Sequence, residues 1–303
     1  MKNKFLLFVK GMAMGAADVV PGVSGGTVAF ITGIYDELLG ALSRIPEAVL
    51  LLLKGQIKNA WQLANANFLL ILFAGILFSV FSLARLITWL LETQPIALWS
   101  FFFGLILVSC YLVGRDIQRW NLSRWLAFAV GAGFAWWITV ASPIAWGHDP
   151  LSLFVAGAIA ICAMILPGIS GSFILVLMGL YPTILLAVKQ FQLSVLLVFA
   201  GGCLFGLLAF ARILQAALQR FRDVTLALLT GIMFGSLNKV WPWKQTISWR
   251  TDSYGVEVPV LQDNLSPWHF ADMFQVDAQL MPAVILAIFA VVIVLGLERY
   301  ARR

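Results

Sequence analysis

The chain has 303 residues, of which 61% are hydrophobic and 11% are charged, and its mean hydropathy is +0.94. A soluble domain is about half apolar and about a quarter charged, so this composition excludes an ordinary soluble protein and favours a membrane protein. The net charge of +6 comes from basic residues dispersed beside apolar segments. We attribute that charge to orientation in a membrane, not to nucleic-acid binding.

The amino terminus could be read as a secretory signal that is cleaved near Ala16. Lys10 ends its apolar run before the roughly 7–15 residues that such signals use, and the residues that follow Ala16 recur later in the chain. We therefore expect this segment to remain in the protein.

Cysteine and histidine give no sign of a metal or catalytic centre. Cys110, Cys162 and Cys203 lie in apolar segments without C-x-x-C spacing, which is typical of small core residues. His148 and His269 fall in predicted loops. We expect no metal, no cofactor and no enzyme activity.

In chain order, the apolar segments predict an all-α polytopic membrane protein in two halves. The first half, 1–145, contains a broken apolar region at 5–35, a cytoplasmic surface helix at 37–55, and spans near 68–91, 96–114 and 124–142. The second half, 146–303, contains a broken region at 151–188, spans near 193–217, 224–240 and 280–297, and an outer loop at 241–279.

Each broken region contains a Pro-Gly-x-Ser-Gly motif, at 21–25 and at 167–171. Backbone can leave a helix at membrane depth only where protein or a water-filled cavity satisfies its polar groups. Paired interruptions of this kind are typical of transporter binding sites. We expect each region to form a re-entrant pair of half-helices.

The motifs belong to an internal repeat. Seven of the 19 positions in 17–35 are identical to those found 146 residues later, and later matches, such as Arg85 with Arg212, are 127 residues apart. The first half therefore carries extra residues after its motif, within 36–67. Because each half has three spans, the second is expected to be inverted relative to the first.

Basic residues set the predicted orientation, with both termini cytoplasmic. Fourteen of the lysines and arginines then lie inside, whereas four lie outside: Lys189, Lys239, Lys244 and Arg250.

The motifs are suited to binding an anion. Proline ends one half-helix, glycine permits the turn, and serine caps the next half-helix, whose free amides favour negative charge. The predicted turn-forming residues are Pro21, Gly22, Pro167 and Gly168, and the predicted phosphate-binding residues are Ser24, Gly25, Gly26, Thr27, Ser170, Gly171 and Ser172. The alternative is that both motifs are kinks tolerated by packing.

Three charged residues within the apolar regions are candidates for a functional role. Arg85 and Arg212 occupy equivalent positions and are candidates for phosphate binding, the alternative being that their side chains extend to a nearby interface. Asp18 is a candidate for proton coupling, or it braces an arginine or the turn.

Residues 11–30, with 33–35 and 166–172, resemble a bacterial membrane-protein family that is now regarded as polyprenyl-phosphate translocases of the PopT type. Asp18 and the first motif match the family pattern, whereas Ser172 stands where the first motif has Gly26. The resemblance implies an inner-membrane transporter that returns undecaprenyl phosphate from the outer to the cytoplasmic leaflet, which recycles the carrier of peptidoglycan synthesis.

The expected partners are therefore a polyprenyl-phosphate lipid and the bilayer, and homo-oligomerisation is left open. One alternative is a channel or exchanger for chloride or phosphate, which opposed half-helices would also suit. A membrane phosphatase is a weaker alternative, because neither histidine lies near a motif.

Overall fold

The structure is a computed structural model that describes residues 4–20, 23–144, 146–251 and 257–301. In these ranges the chain forms helices and one antiparallel hairpin. The elements are α1 (Lys4–Val19), α2 (Gly25–Ile31), α3 (Tyr35–Ser43), α4 (Ile45–Leu53), α5 (Ile57–Leu63), α6 (Ala66–Thr93), α7 (Pro95–Arg115), α8 (Leu122–Val140), α9 (Pro150–Ile165), α10 (Gly171–Leu177), α11 (Tyr181–Lys189), α12 (Leu193–Arg220), α13 (Arg222–Ser236), β1 (Lys244–Thr251), β2 (Glu257–Asn264), α14 (Pro267–Phe274) and α15 (Leu280–Ala301).

Several helices are compatible with a polytopic membrane protein. Among the described residues, three helices are long and apolar enough to cross a bilayer, namely α6 over Ala66–Leu83, α7 and α12. Helices α8, α13 and α15 lie at the other predicted spans, but α13 has 15 residues because a turn follows Ser236. The loop predicted at 241–279 contains the hairpin and α14.

The broken regions have one more bend than the sequence motifs predicted. After α2 and after α10 the chain turns again, at Gly33 (φ +69°) and at Gly179 (φ +68°), where glycine accepts a left-handed backbone. Helices α10 and α11 consequently meet at 110°. The region 151–188 is thus three helices and not a single pair.

The segment predicted as one surface helix at 37–55 is divided between α3 and α4. Helix α3 packs against α12 and buries Tyr35, Leu39 and Leu42, whereas α4 exposes Leu50 and Leu53. Helices α4 and α5 have no counterpart in the second half, and they lie in the part of the chain where extra residues were expected.

Four helices of the first half match four helices of the second half in length. Helices α1, α2 and α3 have 16, 7 and 9 residues, and so do α9, α10 and α11, while α6 and α12 have 28 residues each. Glycines allow close contact in both halves: Gly11 and Gly75 join α1 to α6, and Gly157 and Gly202 join α9 to α12. A side chain at any of these positions would collide with the backbone of the facing helix.

The direction of each helix follows from its contacts. At the end where α1 and α6 begin, here called the amino-terminal end, α7 and α15 finish, joined by the ion pair of Arg115 with Glu298. At the opposite end, here called the hairpin end, Trp243 packs on Ile96 and Ala283 at the starts of α7 and α15.

Helices α9 and α12 run in the opposite direction to α1 and α6. The end of α13 lies at the hairpin end, because the adjoining Asn238 is hydrogen-bonded to Asn264 of β2. Helix α13 therefore starts at the amino-terminal end. One residue separates the end of α12 from the start of α13, so α12 runs from the hairpin end to the amino-terminal end. Gly202 faces Phe154 and Gly206 faces Ala158, so both helices advance in the same direction and α9 runs parallel to α12.

Candidate functional site

The two motifs meet in the core of the protein. The hydroxyl of Ser24 accepts a hydrogen bond from the amide of Gly26 (3.1 Å) and so caps α2. The same hydroxyl lies 3.2 Å from the carbonyl oxygens of Met164 and Leu166, to one of which it donates. The first motif therefore packs against the break between α9 and α10.

Two further side chains satisfy the backbone of that break. The amide of Gly168 donates to the Thr27 hydroxyl (2.9 Å), and the hydroxyl of Tyr35 donates to the carbonyl of Ile165 (3.0 Å). Thr27 is fully buried, so a hydrogen bond lost here would not be replaced by bulk water. Gly168 has φ +90°, a conformation that favours glycine.

The first turn already holds a carboxylate. The amide of Gly25 donates to Oδ1 of the half-buried Asp18 at 2.7 Å. A Cβ atom on Gly25 would lie 2.5 Å from the other carboxylate oxygen, so the absence of a side chain is what allows this contact. The negative charge favoured by the start of α2 is supplied by the chain itself.

The second turn has the same shape without the carboxylate. Met164 stands where the repeat places Asp18, and a Cβ atom on Gly171 would lie 2.6 Å from its Cγ. The hydroxyls of Ser170 and Ser172 lie 2.9 Å apart, and the Ser170 side chain does not cap α10. The two turns thus differ in charge although they share a backbone pattern.

The remaining predicted site residues lie elsewhere or outside the described residues. Arg212 donates to the carbonyl of Ser43 (3.0 Å) and forms an exposed ion pair with Glu47, so its contacts are with α3 and α4 and not with either turn. Arg85 is exposed on α6. The positions of Pro21 and Gly22 fall outside the described residues.

Two lysines were assigned by sequence reasoning only to the outer side, and one of them, Lys239, lies close to the second turn. The ammonium group of Lys239 lies 4.4 Å from the ring centre of Phe173 in α10, and that of Lys244 lies 3.7 Å from the ring centre of Trp99. Burial lowers the pKa of the Lys244 ammonium, and the charge of Lys239 lowers it further. The sequence signal that could have singled out this pair is that Lys239 and Lys244 flank the tryptophans at 241 and 243.

Cavities lie at both ends of the part of the chain that the structure describes. One at the amino-terminal end has about 730 Å³ and mixes apolar side chains with charged ones such as Lys10 and Arg115. One at the hairpin end has about 520 Å³ and is mainly apolar. No group of histidine, cysteine or acidic side chains among the described residues is arranged to hold a metal ion.

These features are compatible with a polytopic helical membrane protein, and two broken-helix turns, one from each half, are bonded together in it. The family described as VCA0040-like: Undecaprenyl phosphate translocase-like matches residues 14–258. The chain belongs to this family.

Curated relatives extend the match over almost the entire chain. A polyprenyl-phosphate transporter of Vibrio cholerae serotype O1 is 53% identical over 302 residues, covering 99% of this chain and 98% of the relative. A polyprenyl-phosphate transporter of Staphylococcus aureus is 33% identical over 257 residues, covering 79% of this chain and 87% of the relative. No solved structure matches the chain.

Replacing Thr27 by valine should destabilise the contact between the turns. Valine has nearly the same shape but leaves the buried Gly168 amide without an acceptor, which costs about 1–3 kcal/mol. We expect Thr27→Val to melt at a lower temperature than Thr27→Ser, which keeps the hydroxyl, when the purified proteins are heated in detergent. Equal melting temperatures for the two variants would contradict this role of Thr27.

Proposed function

We propose that this protein is a transporter that moves undecaprenyl phosphate from the outer to the cytoplasmic leaflet of the bacterial inner membrane. This movement would return the lipid carrier to the synthesis of peptidoglycan and other envelope polymers. The observation that carries the proposal is the direct bonding of two broken-helix turns, one from each half. Protein or a water-filled cavity must satisfy such breaks in a membrane, and paired breaks at a repeat interface are typical of transporter substrate sites. Membership of the family and the names of both relatives support the same substrate.

In this proposal the halves are inverted repeats, each with a re-entrant segment. The equal helix lengths support it, as do the opposite directions of the α1–α6 pair and the α9–α12 pair. Alternating access would then result from one half exchanging conformations with the other around a fixed site. The excess of basic residues toward the amino-terminal end favours a cytoplasmic location for that end and for both chain termini.

The headgroup would bind at the second turn. At the first turn, the carboxylate of Asp18 already takes the Gly25 amide, so a phosphate there would face like charge. The second turn offers the hydroxyls of Ser170 and Ser172 and has Met164 in the equivalent place. Ser24, Gly25, Gly26 and Thr27 would then act by holding the second turn in shape.

Transport in proteoliposomes tests this assignment. With a short-chain polyprenyl phosphate, we expect Ser170→Ala/Ser172→Ala to lower the transport rate about tenfold, because hydrogen bonds to a charged group contribute most to its binding. Ser82→Ala is the matched control, since Ser82 is an exposed serine that bonds within α6. Arg85→Ala and Arg212→Ala, in the same assay, test whether these arginines contribute.

A wild-type rate in the double serine variant would contradict binding at the second turn. Flux of chloride or inorganic phosphate without movement of the lipid would contradict the proposed function and support a small-anion transporter.

Asp18 is proposed to couple transport to protons. Its bond to the Gly25 amide is strong when the carboxylate is charged, so protonation would loosen the first turn. We expect Asp18→Asn to transport at a rate that no longer responds to an imposed pH gradient, whereas Asp36→Asn, which alters a surface ion pair, should respond like the wild type. A pH-gradient response that persists in Asp18→Asn would contradict the coupling role.

A further inference from the structure

Lys239 and Lys244 form a pair of cations at the hairpin end. The ammonium group of Lys244 donates to the backbone carbonyl of Lys239 at 2.6 Å, which brings the two residues together. Each ammonium also faces an aromatic ring, that of Phe173 for Lys239 and that of Trp99 for Lys244. Cation–π contact partly compensates each charge but adds no negative charge to the site.

The backbone that carries the pair is held in place by the hairpin. Asn264 of β2 donates to the backbone carbonyl of Asn238 (2.8 Å) and to its side-chain oxygen (2.9 Å). The indoles of Trp241 and Trp243 donate to the carbonyls of Leu265 (2.8 Å) and Ala278 (2.7 Å). Hydrogen bonds from the hairpin and the chain after it therefore hold the segment 238–243, which carries Lys239 and leads directly into Lys244.

No acidic partner accompanies this pair among the residues that the structure describes. The ion pairs found there join other residues: Arg115 with Glu298, Arg124 with Asp223, Arg212 with Glu47, and Arg222 with Asp36. Two neighbouring cations repel each other, and partly buried charges are costly unless a counter-charge is present. An anionic ligand would supply that counter-charge.

An apolar cavity lies beside the lysine pair. It has about 520 Å³ and is lined by aromatic side chains, by Asn264 and by Asn238, the residue before Lys239. Among the aromatic residues, Phe103 lies one helical turn after Trp99, so the cavity and the Lys244 ammonium share one face of α7. A ligand with an anionic head and an apolar chain would match both features.

We propose that Lys239 and Lys244 bind the phosphate headgroup of a polyprenyl phosphate at the hairpin end, with the first part of its chain in the aromatic cavity. The identity of this lipid rests on the proposed function, whereas the anionic head and apolar chain follow from the site. Lys239 also links the site to the second turn, because the ring it contacts belongs to Phe173, which follows Ser172. The pair would thus be a first binding position from which the headgroup passes to that turn.

Binding to the purified full-length protein in detergent tests this site. The probes are farnesyl monophosphate, farnesol and inorganic phosphate, and the variants are Lys239→Gln, Lys244→Gln and the double substitution. Lys189→Gln is the matched control, because Lys189 is an exposed lysine at the end of α11. We expect farnesyl phosphate to bind the double variant at least about tenfold more weakly than the wild type. Farnesol, which has no phosphate, should bind the double variant and the wild type with equal affinity.

The arms of the experiment separate the sources of the phosphate. Equal affinity of the wild type for inorganic phosphate and for farnesyl phosphate would overturn the assignment to a lipid. If the double variant is unstable, the single variants, each compared with Lys239→Arg or Lys244→Arg, carry the same test, since arginine keeps the charge.

Unchanged binding of farnesyl phosphate to the glutamine variants would overturn the inference. If these variants also transport lipid like the wild type, the proposed function stands without this site. A wild-type protein that neither binds nor transports the lipid would overturn the proposed function itself.

Discussion

A helix that breaks inside an apolar layer leaves amide and carbonyl groups that lipid cannot satisfy, and the arrangement of this protein depends on how those groups find partners. Here they are bonded across the two halves of the chain. Ser24, Thr27 and Tyr35 from the first half bond to the backbone of the break in the second half. The first break follows α1, which packs on α6 through glycines, and the second follows α9, which packs on α12 in the same way. The contact between halves therefore satisfies backbone groups that lipid would leave unpaired.

The difference in charge between the turns makes them unequal as places for an anion. A chain that repeats a backbone pattern could bind one anion at each turn, but Asp18 supplies a carboxylate to the first. Met164 leaves the second without one, and the ammonium group of Lys239 lies over the ring of Phe173 in the helix that follows it. Positive charge is thus concentrated on the side of the second turn that faces the hairpin end. A phosphate that approached the turns from this end would meet these cations before it met the carboxylate of Asp18.

Repeated spacing allowed the sequence to predict the helical class, the two breaks and the extra residues of the first half. The second bend of each broken region was also present in the repeat, as Gly33 and Gly179, but a single glycine in an apolar run does not by itself indicate a turn. The partners of charged residues were not predictable, because they depend on packing between distant helices. Arg212 pairs with Glu47 and Lys244 faces Trp99, and neither pair is close in sequence. The hairpin was missed because its strands lie in a polar loop that was interpreted without secondary structure.

The most direct test of this account is a cryo-EM structure of the protein in lipid nanodiscs with a short-chain polyprenyl phosphate bound. The account predicts density for the phosphate within hydrogen-bonding distance of the Ser170 or Ser172 hydroxyl, with the contact between the two turns retained. A headgroup that touches neither the second turn nor the pair of Lys239 and Lys244, for example one bound against Arg212 on the surface of α12, would contradict it.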